Sequence, residues 1–337
     1  MKVFVTGGSG YIGSHTILEL ISQEHEVFVL DNFSNSSNEV ISRIEKLTGR
    51  TCNFINLDLR DTNNLISSLK SFNPQCVIHF AGLKSVSDSI SHPIEYYDNN
   101  VFGSLSLLKA MDEVGCNNII FSSSATVYGE PKYLPIDEEH TCNPVNTYGS
   151  TKYFIEKILH DWVRANKNNS AIVLRYFNPV GAHHSGCIGE DPSGIPNNLM
   201  PYISQVAIGK RPHVKIFGND YPTRDGTGER DYIHVMDLAK AHVSAIPKLN
   251  KGIFDVYNVG TGSGTTVMEL LKEYEKVCGR NINFKFLERR SGDVAKNVAC
   301  ADKAVKELSW VANYDLTDIC ADEWRWKTKN PKGYNQK

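Results

Sequence analysis

Short apolar runs alternate with amphipathic stretches through the first half of this 337-residue chain. The apolar runs have the length of buried strands, and the stretches between them repeat apolar residues at helical spacing. This alternation predicts an α/β fold with a doubly wound parallel sheet, the Rossmann arrangement, in which ligands bind at the carboxyl ends of the strands. Strands are predicted at residues 3–6, 27–31, 53–58, 76–81, 118–123 and 172–177, and helices near residues 12–22, 62–71, 95–114 and 148–167.

The pattern changes after Phe177, where a stretch rich in glycine, proline and asparagine begins. We expect residues 1–177 to form the Rossmann domain and residues 178–337 to form a smaller α/β lobe that holds the substrate. A helical run near residues 234–246 and a strand-like run at 255–260 follow later. They predict that segments near 230–262 return to complete the first domain.

Three glycines, Gly7, Gly10 and Gly13, follow the first predicted strand and open the first predicted helix. Glycines at this spacing allow a tight turn, a close approach of a pyrophosphate to the backbone, and close helix–sheet packing. Asp31 ends the second predicted strand, where a carboxylate accepts hydrogen bonds from the adenosine ribose hydroxyls. The same charge repels a 2′-phosphate. The motif therefore predicts NAD rather than NADP as the cofactor.

Tyr148 and Lys152 lie one turn apart on the predicted helix 148–167, on the same stripe as Ile155 and Leu159. This stripe turns the lysine toward the protein interior, where an ammonium is costly unless it has a partner or a function. A phenol with a pKa near 10 is not a base at neutral pH, but a nearby positive charge favours the phenolate. We expect Tyr148 to be a general base whose pKa is lowered by Lys152 and by an oxidised nicotinamide.

Ser124 lies at the end of the fifth predicted strand, at the sheet edge where the nicotinamide is expected. Its hydroxyl is the candidate group that hydrogen-bonds the reacting oxygen and relays its proton. Serines at strand ends also serve as ordinary loop caps, so this residue alone is a modest signal.

Composition and charge narrow the class of protein. The net charge is −2, from 36 Lys and Arg against 38 Asp and Glu, without basic blocks, so a nucleic-acid partner has no electrostatic basis. The eight cysteines are scattered without metal-binding spacing, which favours reduced thiols, no metal and a cytoplasmic location. We expect no membrane contact, because the chain has no run of 18 apolar residues and no signal peptide.

Longer motifs identify a family. The segments Phe80-Ala-Gly-Leu-Lys84, Arg175-Tyr-Phe-Asn178-Pro-Val-Gly-Ala and Arg230-Asp-Tyr-Ile-His-Val, together with Gly7-x-x-Gly10-x-x-Gly13 and the Ser124, Tyr148 and Lys152 triad, resemble the UDP-glucose 4-epimerases of the extended short-chain dehydrogenase/reductase family. This resemblance spans essentially the whole chain. It implies permanently held NAD, UDP-hexose substrates and a reaction that oxidises C4 of the sugar, turns the 4-keto intermediate over and reduces it on the other face.

The resemblance also assigns residues to the two ligands. It places NAD beside the glycine turn, the sheet edge and the catalytic pair, at Gly7, Gly10, Tyr11, Ile12, Gly13, Asp31, Asn32, Asp58, Leu59, Phe80, Ala81, Gly82, Lys84, Asn99, Tyr148, Lys152 and Phe177. It places the nucleotide sugar at Lys84, Ser124, Tyr148, Asn178, Asn198, Leu199, Lys215, Phe217, Arg230, Arg290, Asp293 and Asn297. Arginine suits the diphosphate because its planar fork engages two oxygens at once.

Asn297 departs from the pattern of the family members restricted to unmodified hexoses, which tend to carry a bulky tyrosine there. A smaller side chain leaves more room beside C2 of the sugar. We therefore form the hypothesis that UDP-N-acetylglucosamine and UDP-N-acetylgalactosamine are also substrates.

The resemblance further implies a homodimer, in which the helices near residues 95–114 and 148–167 pair as a four-helix bundle. Leu107, Leu108, Ile158 and Leu159 would then be divided between core and interface. Two alternatives remain open for the function. One is a nucleotide-sugar dehydratase or decarboxylase of the same architecture, and the other is a non-catalytic protein that senses NAD.

Overall fold

The computed structural model describes residues 1–192, 194–290 and 292–334, so the last three residues of the predicted second lobe lie outside the described residues. Its strands are β1 Lys2–Thr6, β2 Glu26–Asp31, β3 Asn53–Asn56, β4 Cys76–His79, β5 Asn118–Ser124, β6 Ser170–Tyr176, β7 Asn178–Val180, β8 Val214–Phe217, β9 Glu229–Arg230, β10 Tyr232–His234, β11 Phe254–Val259, β12 Thr265–Thr266, β13 Phe284–Leu287 and β14 Lys296–Asn297. Its helices are α1 Tyr11–Ser22, α2 Glu39–Thr48, α3 Thr62–Phe72, α4 Val86–Ser91, α5 Pro93–Tyr96, α6 Gly103–Val114, α7 Thr147–Ala165, α8 Leu199–Ala207, α9 Val235–Ala245, α10 Val267–Cys278, α11 Asp302–Leu308 and α12 Leu316–Lys329.

A seven-stranded parallel sheet forms the centre of the molecule, with the strand order β11-β6-β5-β4-β1-β2-β3. Side chains alternate across it. Val3 and Val5 belong to the apolar core on one face, beneath α1, α2 and α9, while Phe4 belongs to the core on the other face, beneath α3, α6 and α7. The predicted α/β fold with a doubly wound parallel sheet is confirmed.

The remaining strands form small sheets outside this centre. β7 pairs with β10, β8 with β13, and β9 with both β12 and β14. The strand β11 comes late in the chain yet pairs with β6 at the edge of the central sheet. The exact division into two domains stays a prediction.

The helix predicted near residues 95–114 is broken in the structure. After α5, residues Tyr97–Phe102 form a π-helical turn, which leads into α6. Asn100 lies in this turn and is buried, and its amide bonds both the N–H and the carbonyl oxygen of Leu83. Such turns are often found at functional sites, and periodicity alone does not distinguish them from an α-helix.

The division of these apolar side chains between core and interface stays a prediction. Leu107, Leu108 and Leu159 are all buried within the single chain, and Ile158 packs partly buried against the same core. No helix in the described part of the chain is both long enough and apolar enough to cross a membrane.

Candidate active site

The glycine turn between β1 and α1 is closed by contacts that leave no room for side chains. Gly7 has a φ of +68°, and a Cβ there would lie 2.6 Å from the backbone N of Ala81, in the turn that follows β4. A Cβ on Gly13 would lie 2.5 Å from the carbonyl oxygen of Gly7. Gly10 is the N-cap of α1 and has no side chain to satisfy the first N–H groups of the helix. The turn therefore presents backbone donors at a helix N-terminus, which is the arrangement that binds phosphate.

Asp31 lies beside this turn, at the carboxyl end of β2. Its Oδ2 accepts a hydrogen bond of 2.9 Å from the backbone N–H of Ser9, and its Oδ1 accepts from Phe33 N and Ser36 Oγ. Within the described residues, the hydroxyl of Ser9 is buried without a hydrogen-bond partner. An unpaired buried donor next to a turn that excludes every Cβ fits a dinucleotide, because a ligand oxygen can complete its hydrogen bonding.

The turn after β4 closes the other side of this edge. The backbone N–H groups of Phe80 and Ala81 both donate to the carbonyl oxygen of Thr6, which fixes this turn against β1. A Cβ on Gly82 would lie 3.1 Å from Oδ1 of Asn100. Asn99 is half-buried in the π-helical turn next to Asn100. The sequence-predicted members of this turn are therefore brought together at one sheet edge.

Asp58 carries an ion pair that the sequence analysis missed. Arg60 donates to both carboxylate oxygens of Asp58, at 2.9 and 2.8 Å, and Asn32 donates to the second. The hydrogen bond from Arg60 is the main reason that the pKa of Asp58 lies below its ordinary value. Leu59 is buried next to them. Because Arg60 and Asn32 hold its carboxylate, Asp58 is an ionised and already oriented hydrogen-bond acceptor for a ligand.

The three predicted catalytic side chains meet at the carboxyl end of β5. Tyr148, in the first turn of α7, hydrogen-bonds Ser124, and Ser124 Oγ accepts from the backbone N and the hydroxyl of Thr126. Lys152 is buried one turn further along α7, and its Nζ donates to the carbonyl oxygen of Ser122 at 2.7 Å. This Nζ lies 5.9 Å from the centre of the Tyr148 ring. The arrangement is a hydrogen-bonded phenol and serine beside a buried cation.

The expectation that Lys152 lowers the pKa of Tyr148 is wrong for the protein groups alone. Burial raises the pKa of Tyr148 to about 12, and the opposing effect comes from the hydrogen bond with Ser124. Burial also lowers the pKa of Lys152 to about 8, against the attraction of Glu156. The phenol is therefore kept neutral near pH 7 until further positive charge enters the site.

Glu156 lies one turn beyond Lys152 on α7, and the sequence analysis did not single it out. Its carboxylate accepts from Arg175 Nε at 3.0 Å, from Arg175 Nη2 at 2.7 Å and from the hydroxyl of Ser123. Arg175 also donates to the hydroxyl of Tyr128. This buried network ties α7 to β5 and β6. Helical spacing from Tyr148 through Lys152 to Glu156 was the signal that could have revealed it.

Five of the predicted nucleotide-sugar residues of the second lobe form one cluster, while Asn198 and Leu199 lie at the start of α8 and two more are outliers. Arg290 stacks on Phe217, with its guanidinium carbon 4.6 Å from the ring centre, and pairs with Asp293 at 3.0 Å. Arg230 Nη2 lies 3.9 Å from the other oxygen of Asp293. Asn297 is the register partner of Arg230 across β14 and β9. In the described residues its Oδ1 is buried without a hydrogen-bond partner.

Asn178 and Lys215 are the outliers of this set. Asn178 begins β7, which pairs with β10, and it directly follows Phe177, the residue after β6. It therefore lies at the catalytic edge rather than in the arginine cluster. Lys215 is exposed on β8. Within the described residues, its side chain makes no hydrogen bond or ion pair with the arginine cluster. The resemblance assigned both residues to the nucleotide sugar, and this assignment stays a prediction.

Asn198 and Leu199 lie at the start of α8, where Asn198 is the N-cap. The Asn198 side chain donates to Glu190 Oε1 at 2.8 Å, and Lys84 Nζ donates to the same oxygen at 2.8 Å. Tyr11, in the first turn of α1, donates to the carbonyl oxygen of Gly181 at 2.6 Å. These bonds join the glycine-turn side of the molecule to the second lobe. Glu190 was not predicted.

Comparison with known proteins was made for the sequence and for the fold. The family model described as the NAD dependent epimerase/dehydratase family matches residues 3–260. The UDP-glucose 4-epimerase of Bacillus subtilis (strain 168) is 51% identical over 335 residues, which cover 99% of each chain. The crystal structure of the Bifidobacterium longum UDP-glucose 4-epimerase in complex with NAD+ and UDP superposes with a TM-score of 0.96, at 48% identity, over 99% of this chain and 100% of that one.

A third relative is the UDP-Glc/GlcNAc 4-epimerase of Campylobacter jejuni, whose structure superposes with a TM-score of 0.85 at 34% identity, over 97% of this chain and 99% of that one. The family match covers more than half of the chain, and the sequence identities extend over nearly its full length. The chain belongs to the NAD dependent epimerase/dehydratase family.

Proposed function

We propose that this protein is an isomerase that interconverts UDP-glucose and UDP-galactose with tightly held NAD. The observation that carries the proposal is the meeting of Tyr148, Ser124 and Lys152 at the carboxyl edge of the sheet that also carries the glycine turn. The similarity to UDP-glucose 4-epimerases over almost the whole chain supports it. NAD, when bound, accepts a hydride from C4 of the sugar and returns it to the opposite face.

The protein groups at this edge supply proton transfer. Tyr148 takes the proton of the C4 hydroxyl and later returns it, while Ser124 hydrogen-bonds the same oxygen of the sugar. Lys152 is buried and fixed by the carbonyl oxygen of Ser122, so its charge lies at a constant position beside the phenol. Because the hydride would return to C4 and the proton to the C4 oxygen, the reaction would have no net redox change.

The second lobe retains the sugar while its ring turns over. Arg290 and Arg230 face the same carboxylate, Asp293, and both guanidinium groups suit a diphosphate. Anchoring the nucleotide firmly and the sugar loosely lets binding energy from the remote part of the substrate hold the 4-keto intermediate in the site.

The sequence around Ser124 weighs against the dehydratase alternative. Dehydration across C5 and C6 needs an acid and a base, usually an Asp-Glu pair directly after the hydroxyl residue at the end of β5. Here Ser124 is followed by Ala125 and Thr126. A protein that only senses NAD would have no use for Tyr148 and Lys152 at one-turn spacing beside Ser124.

The direct test is purification without added cofactor, an absorbance scan for bound nicotinamide, and incubation with UDP-galactose. We expect copurified cofactor and conversion to UDP-glucose without consumption of added NAD. A purified and folded protein that holds cofactor but converts no UDP-hexose would contradict the proposal and favour the sensing alternative.

Asn297 supports a wider substrate range. Its side chain lies beside Arg230, and its Oδ1 is a buried acceptor without a partner in the described residues, which suits an N–H donor such as the acetamido group of a 2-N-acetylated sugar. The Campylobacter jejuni relative is a UDP-Glc/GlcNAc 4-epimerase. Brisk turnover of UDP-galactose with undetectable turnover of UDP-N-acetylgalactosamine would remove this part of the proposal.

An apolar patch supports a homodimer. Ile94 is 82% exposed, and the large side chains of Ile90, Phe102 and Phe154 are also exposed on or near the helices predicted to pair. The ring of Phe154 lies 6.0 Å from that of Tyr97. A second copy that covers this patch would remove it from water. Sedimentation equilibrium should give twice the chain mass, and a single-chain mass at micromolar concentration would contradict the dimer.

Two further expectations from the sequence remain part of the proposal. The division into a Rossmann domain and a substrate lobe is supported by β11, which joins the central sheet after the second lobe has begun. A cytoplasmic location is supported by the eight cysteines, all of which are free thiols.

A further inference from the structure

Glu190 is a buried carboxylate that receives hydrogen bonds from both sides of the candidate active site. Its side chain is 6% exposed, whereas that of its partner Lys84 is 51% exposed. Lys84 follows the turn after β4, on the cofactor side, and Asn198 precedes α8, on the substrate side. Both donate to the same oxygen, Oε1, at 2.8 Å. One acceptor atom therefore fixes the distance between two residues that the resemblance assigns to the nucleotide sugar.

The backbone around Glu190 is held rigidly by the C-terminal part of the chain. Trp326 Nε1 donates to the carbonyl oxygen of Glu190 at 3.2 Å, and a Cβ on Gly189 would lie 2.4 Å from Cγ of Trp326. Tyr334 exchanges hydrogen bonds with the backbone of Gly189 through its hydroxyl and donates its own N–H to Asp191. The carboxylate is thus presented from a fixed support and cannot follow Lys84 or Asn198 if either of them moves.

The bond to Glu190 also changes what Asn198 does for α8. Asparagine at an N-cap usually accepts a hydrogen bond from the N–H groups of the first helical turn. Within the described part of the chain, Asn198 makes no such capping bond. Because a carboxylate only accepts, the NH₂ group of the amide must face Glu190. The side chain is thereby held away from the helix N-terminus, whose N–H groups favour an anion.

We propose that Glu190 is a positioning residue that sets Lys84 and Asn198 for the nucleotide sugar. This inference rests on the proposed function. Other charged groups near Glu190 are Asp191, Glu323 and Lys327. Burial raises the pKa of Glu323 to about 8, with Glu190 as a further cause.

The main test is Glu190→Gln in the holoenzyme, with Glu113→Gln as the matched control on the exposed end of α6. The glutamine amide keeps the shape but removes the charge, and a hydrogen bond to a charged group is worth roughly tenfold to a hundredfold in binding. We expect the KM for UDP-galactose to rise by about tenfold or more, with kcat changed less than about threefold and bound cofactor absorbance retained. Glu113→Gln should match the wild type.

If Glu190 had only a structural role, Glu190→Gln would lower the thermal stability of the protein without raising KM more than it changes kcat. A folded Glu190→Gln protein with the wild-type KM would overturn the inference. If the wild-type protein converts no UDP-hexose at all, the proposed function fails instead, and the two failures are therefore distinguishable.

The exchange Glu190→Gln with Asn198→Asp covers the case in which the single variant does not fold. The exchange reverses the polarity of the contact, so that the amide of residue 190 donates to the carboxylate of residue 198. Asn198→Asp alone places two carboxylates together. The repulsion between Asp at 198 and the diphosphate is common to both proteins and cancels in their comparison. We expect UDP to bind the exchange variant at least about tenfold more tightly than Asn198→Asp alone. Equal binding would overturn the inference.

Discussion

Two arginine–carboxylate pairs of the same chemistry lie in opposite halves of the molecule and differ in solvent exposure. Arg175 and Glu156 are 7% and 4% exposed and support the helix that carries Tyr148 and Lys152. Arg290 and Asp293 are 55% and 26% exposed and lie where the nucleotide is expected. The buried pair has no replacement partner in water, whereas the exposed pair can exchange its contacts for those of a ligand.

The two pairs therefore have different roles in the site. The buried pair anchors a surface that must keep its geometry throughout the reaction, because a proton moves between fixed atoms. The exposed pair holds the guanidinium group of Arg290 near its place of use while the substrate is absent. We therefore expect changes in the first half to alter kcat or stability and changes in the second half to alter KM.

The largest effect is expected for Tyr148→Phe. Loss of the phenol hydroxyl removes the general base, so kcat for UDP-galactose should fall by about 10²–10⁴ with the cofactor still bound. Tyr153→Phe, on the same helix, is the control and should remain close to wild type. Turnover would be followed by a coupled assay of UDP-glucose, and a Tyr148→Phe enzyme within tenfold of wild type would exclude the assigned role.

The second test compares how much each of the two pairs contributes to the stability of the protein. Glu156→Gln leaves Arg175 buried without a countercharge and should lower the free energy of unfolding by about 3 kcal/mol or more. The matched change Asp293→Asn breaks a partly exposed pair and should cost less than about 1 kcal/mol. Urea unfolding monitored by circular dichroism measures both. Similar losses for the two variants would contradict the distinction between a fixed and an exchangeable pair.

Arg290→Met tests the substrate half. Removing the guanidinium should raise the KM for UDP-galactose by roughly tenfold, because a charge-assisted contact to the diphosphate is lost, while kcat stays nearly constant. Arg289→Met is the matched control, since Arg289 pairs with Asp220 and stacks on Tyr221 rather than on Phe217. Steady-state kinetics on both variants give the answer, and equal KM values would show that position 290 has no special role.

The smallest effect concerns pH. The hydrogen bond with Ser124 lowers the pKa of Tyr148, so Ser124→Ala should raise that pKa. A base with a raised pKa is less ionised at any given pH, and the rising limb of the kcat profile should therefore move toward higher pH, by about one unit. Ser150→Ala serves as the control, because Ser150 bonds only the backbone of its own helix. A shift toward lower pH, or none, would refute the assignment.

The sequence predicted the parts of the molecule in which a local pattern dictates the structure. The glycine turn, the strands of the central sheet and the Tyr148–Lys152 stripe follow from spacing that only a few backbone conformations satisfy. The π-helical turn at Tyr97–Phe102 could not be predicted in this way, because Asn100 within it contacts Leu83, which is distant in the sequence. Arg60 and Glu190 were missed for a similar reason, since each acts through a partner that the fold, rather than the sequence order, brings near.

The late arrival of β11 has a consequence for biosynthesis. Until residue 259 has left the ribosome, β6 is an open strand edge with unpaired N–H and C=O groups and an entirely buried sequence. Residues 178–253 are made in that interval. A nascent chain stalled or cleaved before Phe254 would therefore expose a strand edge that can pair with other chains. Such fragments should accumulate in the insoluble fraction of a translation reaction. Chains released after Val259 should not.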